Sequence, residues 1–382
     1  MADRLTREQL ACAGEGYDPV AVRSASIGAD CYVDPTFLDA ERAEIFRRSW
    51  QFLCHEEKLR EPGSYVTARI QDRGVVAVRG ADGVLRAFYN VCKHRGHEVL
   101  AGAGRAERHI TCPYHGWVYA LDGRLHRARH SERIENFDPS AISLAPVRVE
   151  VFCHLVFVNL DGEAAPLAEQ AAGLAPEVMG YAPDLGSLTF AHRLTYTVRA
   201  NWKAVVDNFL ECYHCPVAHR DFVSLVEMDT YKVSTHGTWS SHMAKAGRSQ
   251  NSAYGVGEAS VTDHAVWYLW PNTTLMRYPG RGNFMVWRFV PTGPEETYEA
   301  FDFFFESATP TEAEMEAIRY IDEVLQPEDI GLVESVQRGM RTPAFERGRY
   351  VVDPAGSGLS EHAVHHFHGL VLAAYRRAGG AS

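Results

Sequence analysis

The spacing of apolar positions changes along the chain and predicts its elements. Residues 1–35 show no regular spacing and are expected to form an irregular leader, whereas Phe37–Trp50 repeats apolar residues at helical intervals. Between Ser64 and Leu125, short apolar runs alternate with glycine-containing turn signals, which is typical of antiparallel strands. The predicted strands are Tyr65–Ile70, Val75–Arg79 and Leu85–Val91, with a further strand-like stretch at Val147–Asn159.

A second, larger pattern follows Pro166–Gly186, a stretch rich in alanine, glycine and proline that predicts a connection. Thr309 is a candidate N-cap of a helix, because Pro310 and Glu312 follow it at the spacing of a capping box. Pro327 is expected to start another helix, and an apolar helix is expected near the end of the chain. The predicted strands of this part are Leu188–Arg199, Ala265–Trp270, Asn283–Val290 and Tyr298–Phe305.

These patterns predict an α+β protein with three segments. Residues 1–45 form an N-terminal leader and helix, and residues 46–160 form a small antiparallel β domain. Residues 161–382 form a larger domain, in which helices cover an antiparallel sheet and to which part of the N-terminal segment belongs in space.

Composition and charge narrow the classes of function. The chain has 382 residues, of which 46% are hydrophobic and 23% charged, as is ordinary for a globular protein. A formal net charge of −11 argues against nucleic-acid binding, which needs a basic surface. No apolar run is long enough to span a membrane, and Met1–Glu8 lacks a signal peptide's apolar segment, so a cytoplasmic protein is expected. The eight cysteines are therefore expected to be free thiols or metal ligands.

One stretch near the middle of the chain carries an unusual row of ionisable side chains. If it is helical, at about 100° per residue Asp207, Glu211 and His214 share one face. Pro216 interrupts the helix, so the imidazole of His219 can turn back toward that of His214. Two neutral imidazoles and a carboxylate form a donor set that holds non-haem Fe(II) with positions left open. The alternative is a buried helix with incidental histidines.

Two Cys–His pairs form a second constellation in the β domain. Cys92 and His94 lie on one predicted turn, and Cys112 and His115 lie on another. Zinc accepts two cysteines and two histidines, so a structural zinc site is one interpretation. The spacing favours a [2Fe–2S] cluster in which two thiolates bind one iron and two imidazoles bind the other.

The motifs Cys-x-His-Arg-Gly and Cys-Pro-Tyr-His-Gly-Trp resemble the Rieske domain of the catalytic (alpha) subunit of Rieske non-haem iron oxygenases. The resemblance implies that Cys92, His94, Cys112 and His115 hold the cluster. It also implies a helix-grip-like catalytic domain whose iron ligands are His214, His219 and Asp329. Glu328 is a rival for the third ligand. Without a metal, Asp329 would be a carboxylate that stabilises the N-terminus of a helix through the helix dipole.

The same resemblance implies catalytic roles for Glu211, Asn208 and Asp207. In the family, the carboxylate at the position of Glu211 bridges an iron-ligand histidine and a Rieske histidine of the neighbouring subunit, here His115. The family forms head-to-tail trimers, so a homotrimer is expected, without a choice between trimer and hexamer. Because the chain has no G-x-G-x-x-G motif, NAD(P)H is expected to act through a separate flavin and iron–sulfur reductase.

The sequence around the two histidines is most similar to the branch that acts on quaternary ammonium compounds, such as carnitine oxygenases and stachydrine demethylases. Hydroxylation beside the nitrogen would lead to C–N cleavage or N-demethylation. An aromatic-ring-hydroxylating or O-demethylating oxygenase is the alternative, and an electron-transfer protein or a zinc-stabilised binding module is the alternative from another class. Aromatic faces hold quaternary cations, and the stretch His264–Trp270 with Trp239, Phe284 and Trp287 could supply them. The preferred candidates are Trp239, Trp267, Tyr268, Trp270 and Phe284.

Cys212 and Cys215 flank His214 in a Cys-x-x-Cys arrangement. Such a pair can act in redox chemistry. Its position beside a candidate ligand favours packing near the metal, and no catalytic role is predicted for it.

Overall fold

The computed structural model of the protein describes residues 5–247, 251–256 and 259–379. The chain divides into two compact units, one formed by Phe46–Glu169 and the other by Met1–Ile45 together with Gln170–Ser382. The N-terminal segment contains helices α1 (Arg7–Gly14), α2 (Asp30–Val33) and α3 (Pro35–Glu41). A π-helical turn at Arg42–Phe46 follows, so the helix expected to reach Trp50 ends earlier.

The unit Phe46–Glu169 consists of antiparallel strands. Its strands are β1 (Gln51–His55), β2 (Ser64–Ile70), β3 (Arg73–Arg79), β4 (Leu85–Tyr89), β5 (Ala103–Arg105), β6 (His109–Thr111), β7 (Val118–Ala120), β8 (Leu125–Arg127), β9 (Pro146–Phe152) and β10 (Leu155–Asn159). They form a seven-stranded sheet in the order β1-β10-β9-β4-β3-β2-β5 and a three-stranded sheet in the order β6-β7-β8. The predicted stretch Val147–Asn159 is a hairpin, because Cys153 and His154 adopt positive φ and turn the chain.

The second unit contains one seven-stranded antiparallel sheet in the order β11-β17-β16-β15-β14-β13-β12. Its strands are β11 (Thr189–Val198), β12 (Lys232–His236), β13 (Trp239–Lys245), β14 (Asp263–Leu269), β15 (Thr273–Arg277), β16 (Asn283–Gly293) and β17 (Glu296–Phe305). Helix α4 (Leu167–Gln170) ends at the first residue after the boundary between the units. The helices that follow it are α5 (Leu174–Tyr181), α6 (Trp202–Phe209), α7 (Cys215–Ala218), α8 (Arg220–Leu225), α9 (Glu312–Tyr320), α10 (Gln326–Met340) and α11 (His362–Ala378). Helix α6 packs on β16 and β17, and α10 packs on α6. The predicted α+β class with a helix-covered antiparallel sheet is confirmed.

Helix α6 begins at Asn201, whose side chain accepts a hydrogen bond from the backbone of Lys203. The helix ends at Phe209, so Glu211 and His214 do not continue its face as the sequence predicted. Glu211 instead accepts a hydrogen bond from the backbone N–H of His214, just before α7 starts at Cys215. The polar row is therefore assembled by a turn between two helices.

A disulfide joins Cys212 and Cys215 across this turn, where their Cα atoms are 4.9 Å apart. The expectation that all eight cysteines are free thiols or metal ligands is therefore wrong for this pair. The turn that ends α6 brings the two side chains together, which a continuous helix would not do. The other six cysteines are free.

The N-terminal segment is tied to the core of its unit by a buried ion pair. Lys203 Nζ lies 2.5 Å from Glu41 Oε1, and both side chains are fully buried. Trp202 Nε1 and Tyr375 Oη also donate hydrogen bonds to the Glu41 carboxylate. The charge of Glu41 is thus satisfied by three donors, as a buried carboxylate requires.

Two helix boundaries differ from those predicted. The N-cap of α9 is Thr311, whose capping box uses Glu314, and Thr309 lies outside the helix. Pro327 does lie in the first turn of α10, yet no break precedes it, because a π-helical turn at Ile321–Leu325 joins α9 to α10. Within the described residues, none of the helices has the length and apolar character needed to cross a bilayer.

Candidate functional site

The imidazoles of His214 and His219 converge with the carboxylate of Asp329. The two Nε2 atoms are 3.0 Å apart, and Asp329 Oδ1 lies 3.0 Å from His219 Nε2 and 3.6 Å from His214 Nε2. The turn between α6 and α7 supplies His214, His219 follows α7, and Asp329 comes from the first turn of α10. Three ligand atoms within reach of one another form a set that could hold a metal ion, and among the described residues this is the group that meets that criterion.

The outer nitrogen of each imidazole is held by a separate carboxylate. His214 Nδ1 lies 2.5 Å from Glu211 Oε1, and His219 Nδ1 lies 2.8 Å from Glu328 Oε2. Because an ionised carboxylate only accepts hydrogen bonds, each Nδ1 carries the proton and each Nε2 is left for a metal. Glu328, which the sequence offered as a rival third ligand, therefore fixes the orientation of the His219 ring.

The same contacts set the charge of the site without a metal. Burial lowers the pKa of His214, but hydrogen bonds to Asp329 and Glu211 outweigh it and raise the pKa to about 9. Burial also opposes the charged form of Asp329, while hydrogen bonds from His214 and His219 bring its pKa below the usual range. The donor set is neutral imidazole and carboxylate once a metal displaces the proton, and it fits the 2-His-1-carboxylate arrangement of non-haem Fe(II).

Asp207 and Asn208, the two other residues predicted to have catalytic roles, have different environments. Asn208 lies inside the site and donates from Nδ2 to Asp329 Oδ1 at 2.7 Å. Asp207 faces away from the converging atoms and does not line the adjoining cavity. Its carboxylate accepts from Tyr32 Oη at 2.6 Å and lies 2.9 Å from His368 Nε2. Asp207 therefore holds helix α6 against the N-terminal segment and α11.

A cavity adjoins the three ligand atoms and is enclosed by α6, α8, α10 and the inner face of the sheet. Its aromatic lining consists of Phe209, Phe222, Tyr231, His242, Tyr254, His264, Tyr278, Trp287 and Tyr320, and its acidic lining consists of Glu211, Glu299 and Asp329. No lysine or arginine belongs to the lining within the described residues. An aromatic, acidic cavity without a lysine or arginine in its described lining is suited to a cation rather than to an anion.

Several polar atoms of this lining have no hydrogen-bond partner in the described part of the chain. They are Asn208 Oδ1, His242 Nδ1, His264 Nδ1, Tyr278 Oη, Trp287 Nε1 and Tyr320 Oη. Burial lowers the pKa of His242 to about 3 and that of His264 to about 4, so both rings are neutral at pH 7. Buried polar groups are normally paired. The six unpartnered atoms therefore cluster in the wall of the cavity.

The five aromatic residues predicted to bind substrate lie elsewhere. None of Trp239, Trp267, Tyr268, Trp270 and Phe284 lines the cavity. Successive side chains of a strand point to opposite faces. Because His242, Val266 and Trp287 line the cavity, Trp239, Trp267 and Phe284 belong to the other face of the sheet.

Four of these five side chains form hydrogen bonds or ring contacts with residues outside the cavity. Trp239 Nε1 donates to Ala172 O, and Trp267 Nε1 donates to Glu177 on helix α5. Tyr268 and Trp270 pack on Phe367 of helix α11. His264 and Trp287, which the sequence analysis also considered, do line the cavity, whereas His242 was missed.

The two Cys–His motifs occupy loops with matching backbone hydrogen bonds. Gly96 N donates to Cys92 O and Gly116 N donates to Cys112 O, both at 3.0 Å. Both glycines have φ near +70°, a conformation that side chains disfavour. The two thiols are buried, whereas the imidazoles of His94 and His115 are more accessible, with ring centroids 4.5 Å apart.

These loops fit the donor set of a Rieske cluster. The phenol of Tyr119 contacts Cys92 Sγ at 3.2 Å and accepts a hydrogen bond from Lys93 N, which fixes the first loop. Burial, with the nearby charges of His94 and Arg95, lowers the pKa of His115 and favours its neutral form. Two buried thiols and two accessible imidazoles could bind the two irons of a [2Fe–2S] cluster.

Comparison with protein families agrees with both sites. Residues 49–138 match the family described as Rieske [2Fe-2S] domain, and residues 185–377 match the family described as ring hydroxylating alpha subunit (catalytic domain). The chain belongs to the Rieske oxygenases. It is therefore an iron-dependent oxidoreductase that uses a Rieske cluster and a mononuclear iron.

Several individual Rieske oxygenases are similar along most of the chain. The carnitine monooxygenase oxygenase subunit of Escherichia coli (strain K12) is 39% identical over 352 residues, which is 92% of this chain and 94% of that protein. The chloroplastic choline monooxygenase of Beta vulgaris is 33% identical over 344 residues, which is 88% of this chain and 74% of that protein. A crystal structure of a quaternary ammonium Rieske monooxygenase in complex with L-carnitine has a TM-score of 0.84 and 33% identity, covering 98% of this chain and 99% of that one.

Proposed function

We propose that this Rieske oxygenase hydroxylates a carbon atom next to the nitrogen of a quaternary ammonium compound of the carnitine, choline or betaine type. The observation that carries the proposal is the cavity beside His214 and His219, which has an aromatic and acidic lining and no lysine or arginine among its described residues. The similarity to carnitine and choline monooxygenases supports the same substrate class. The hydroxylated product loses its C–N bond, either at a methyl group or at the chain carbon.

In this proposal, His214, His219 and Asp329 hold the mononuclear iron, which, when bound, supplies the activation of O₂. Glu211 and Glu328 keep the Nδ1 protons of the two imidazoles in place, so that the Nε2 atoms face the metal. Asn208 orients the Asp329 carboxylate by its hydrogen bond. Asp207 acts as a positioning residue, because Tyr32 and His368 fix it outside the cavity.

Cys92, Cys112, His94 and His115 hold the Rieske cluster in the same proposal. A separate reductase with flavin and iron–sulfur centres passes electrons from NAD(P)H to the cluster, and the subunits form a homotrimer. The cluster of one subunit serves the iron of the next, with Glu211 between His214 and His115 of the partner subunit. Glu211 Oε1 already accepts from His214 Nδ1, which supports a bridging position for this carboxylate.

The test is turnover with NADH, O₂ and a generic Rieske reductase on a panel of carnitine, γ-butyrobetaine, choline, glycine betaine and aromatic acids. The proposal expects trimethylamine, or formaldehyde with a tertiary amine, from at least one quaternary ammonium compound. A cis-diol or a demethylated aryl ether as the product, with every quaternary amine inert, would establish the alternative instead. The His214→Ala variant is the control, which should lose turnover and retain the Rieske optical spectrum.

A further inference from the structure

One carboxyl group in the cavity has no evident task in the metal site. Glu299 lies on β17, lines the cavity and is 1% exposed. Its hydrogen-bond partner is the side-chain amide of Gln326 on α10. Within the described part of the chain, no lysine, arginine or histidine forms an ion pair with it.

The other two carboxylates of the lining are already engaged. Glu211 bonds to His214, and Asp329 bonds to Asn208 and lies against both imidazoles. Glu299 is therefore the acidic group of the described lining whose charge is not used by the metal ligands. Its surroundings are aromatic, because it pairs in register with Phe289, and Phe289 packs on Trp287.

An ionised carboxyl group in such surroundings lowers the stability of the folded protein. Burying an unpaired carboxylate costs several kcal/mol, so the group either stays protonated or meets a cation. Burial, reinforced by the charge of Asp329, raises the pKa of Glu299 well above its usual range in the ligand-free chain. A glutamine would keep the hydrogen bonding with Gln326 without this cost. The position is thus suited to a ligand that carries positive charge.

We propose that Glu299 is the counter-charge by which the cavity selects a quaternary ammonium group over an uncharged group of the same shape. This inference rests on the proposed function and names the residue that recognises the positive charge of the substrate. A quaternary nitrogen donates no hydrogen bond, so its recognition depends on Coulombic attraction and on aromatic faces. Trp287 and Phe209, whose rings meet edge to face with centroids 5.1 Å apart, provide those faces on the same side of the sheet.

The test compares ligands that differ only in charge. The pairs are choline with 3,3-dimethylbutan-1-ol, and γ-butyrobetaine with 5,5-dimethylhexanoate, in which a tert-butyl group replaces trimethylammonium. Dissociation constants are measured for the iron-loaded protein at one pH. The wild type should bind the cation about 300-fold more tightly than its carbon isostere, as expected for unit charges roughly 5 Å apart in an effective dielectric of about 20. In Glu299→Gln this ratio should fall to about 3-fold or less, mainly through weaker binding of the cation.

Two variants control for folding and for surface charge. Glu299→Asp keeps the charge and should retain most of the preference, and Glu296→Gln, at the exposed start of β17, should leave the ratio unchanged. Iron content and the Rieske spectrum show whether each variant is folded, and if Glu299→Gln fails to load iron, Glu299→Asp and the wild type are compared with Glu299→Met.

The outcomes separate the two proposals. If the wild type turns over a quaternary amine and prefers the cation, but the variants without a carboxylate keep that preference, Glu299 is not the counter-charge and the proposed function stands. If the wild type binds neither cation better than its isostere and turns over no quaternary amine, both proposals fail. A preference lost only in the variants that lack the carboxylate supports both.

Discussion

At the scale of single residues, each histidine of the proposed iron site has two chemically distinct nitrogens. The Nε2 atoms of His214 and His219 meet Asp329, and their Nδ1 atoms meet Glu211 and Glu328. The carboxylates fix the tautomers, so the site is arranged before a metal arrives. In the absence of metal, the same carboxylates favour protonated imidazole, and iron binding therefore releases protons.

Glu328→Gln should weaken iron binding at the mononuclear site by about 10-fold or more, the size expected for loss of an outer-shell carboxylate. The amide can no longer serve as a charged acceptor for His219 Nδ1, and the ring loses its fixed orientation. Titration of iron-depleted protein with Fe(II) measures the change. Glu323→Gln, at an exposed position of the same helical stretch, is the matched variant. Equal affinity in both variants would show that Glu328 does not support the ligand.

The sequence could predict much of this site, but not all of it. His214, His219 and the residues before them lie close together in the chain, so their spacing alone indicated a cluster. Asp329 was reached only through the family resemblance, because its proximity depends on how α10 packs on α6. The five aromatic residues were misplaced because composition shows which strands are aromatic, whereas the register decides which face of the sheet each ring occupies.

At the scale of elements, local signals located the helices and strands but missed some boundaries. Helix α6 ends at Phe209 because the following turn uses Glu211 to accept the N–H of His214. Helix α9 begins two residues later than predicted, since Thr311 and Glu314 form the capping box that Thr309 and Glu312 were expected to make. Two threonines at neighbouring positions offer similar caps, and tertiary packing chooses between them.

The choice of cap can be measured. Thr311→Ala should lower the free energy of unfolding by about 1 kcal/mol, because the side chain accepts the hydrogen bond of Glu314 N. Thr309→Ala should change it by less than about 0.5 kcal/mol, since its side chain caps no helix. Urea denaturation of the two variants, prepared with equal iron content, tests both values. A larger loss in Thr309→Ala would restore the boundary that the sequence predicted.

At the scale of the whole molecule, the free energy of unfolding depends on pH through two histidines in the wall of the cavity. His242 and His264 are buried in its wall as neutral rings. In the unfolded chain a histidine has a pKa of about 6.5, whereas the folded values are about 3 and about 4. Above pH 7 both states are neutral and the rings carry no penalty. As the pH falls below about 6.5, the unfolded chain binds protons that the folded chain cannot, and stability decreases.

We therefore expect the wild type to lose stability on acidification by up to about 1.4 kcal/mol per pH unit for each of these rings between pH 6 and pH 4. His242→Gln should show a shallower decrease than the wild type over that range. His236→Gln, at the exposed end of β12, should follow the wild type and shows what acidification does through other groups. The comparison uses free energies of unfolding from urea titrations at each pH, and parallel curves for all three proteins would contradict the expectation.

The buried pair of Glu41 and Lys203 has a consequence for the order in which the chain matures on the ribosome. Glu41 is made 162 positions before its partner, and all of Phe46–Glu169 is synthesised in between. That middle portion contains every strand of its own two sheets, so it can fold as soon as it emerges. The N-terminal segment stays exposed to water until Lys203 has been synthesised. The nascent protein thus matures from its middle outward, and the segment that carries Glu41 is among the last to be buried.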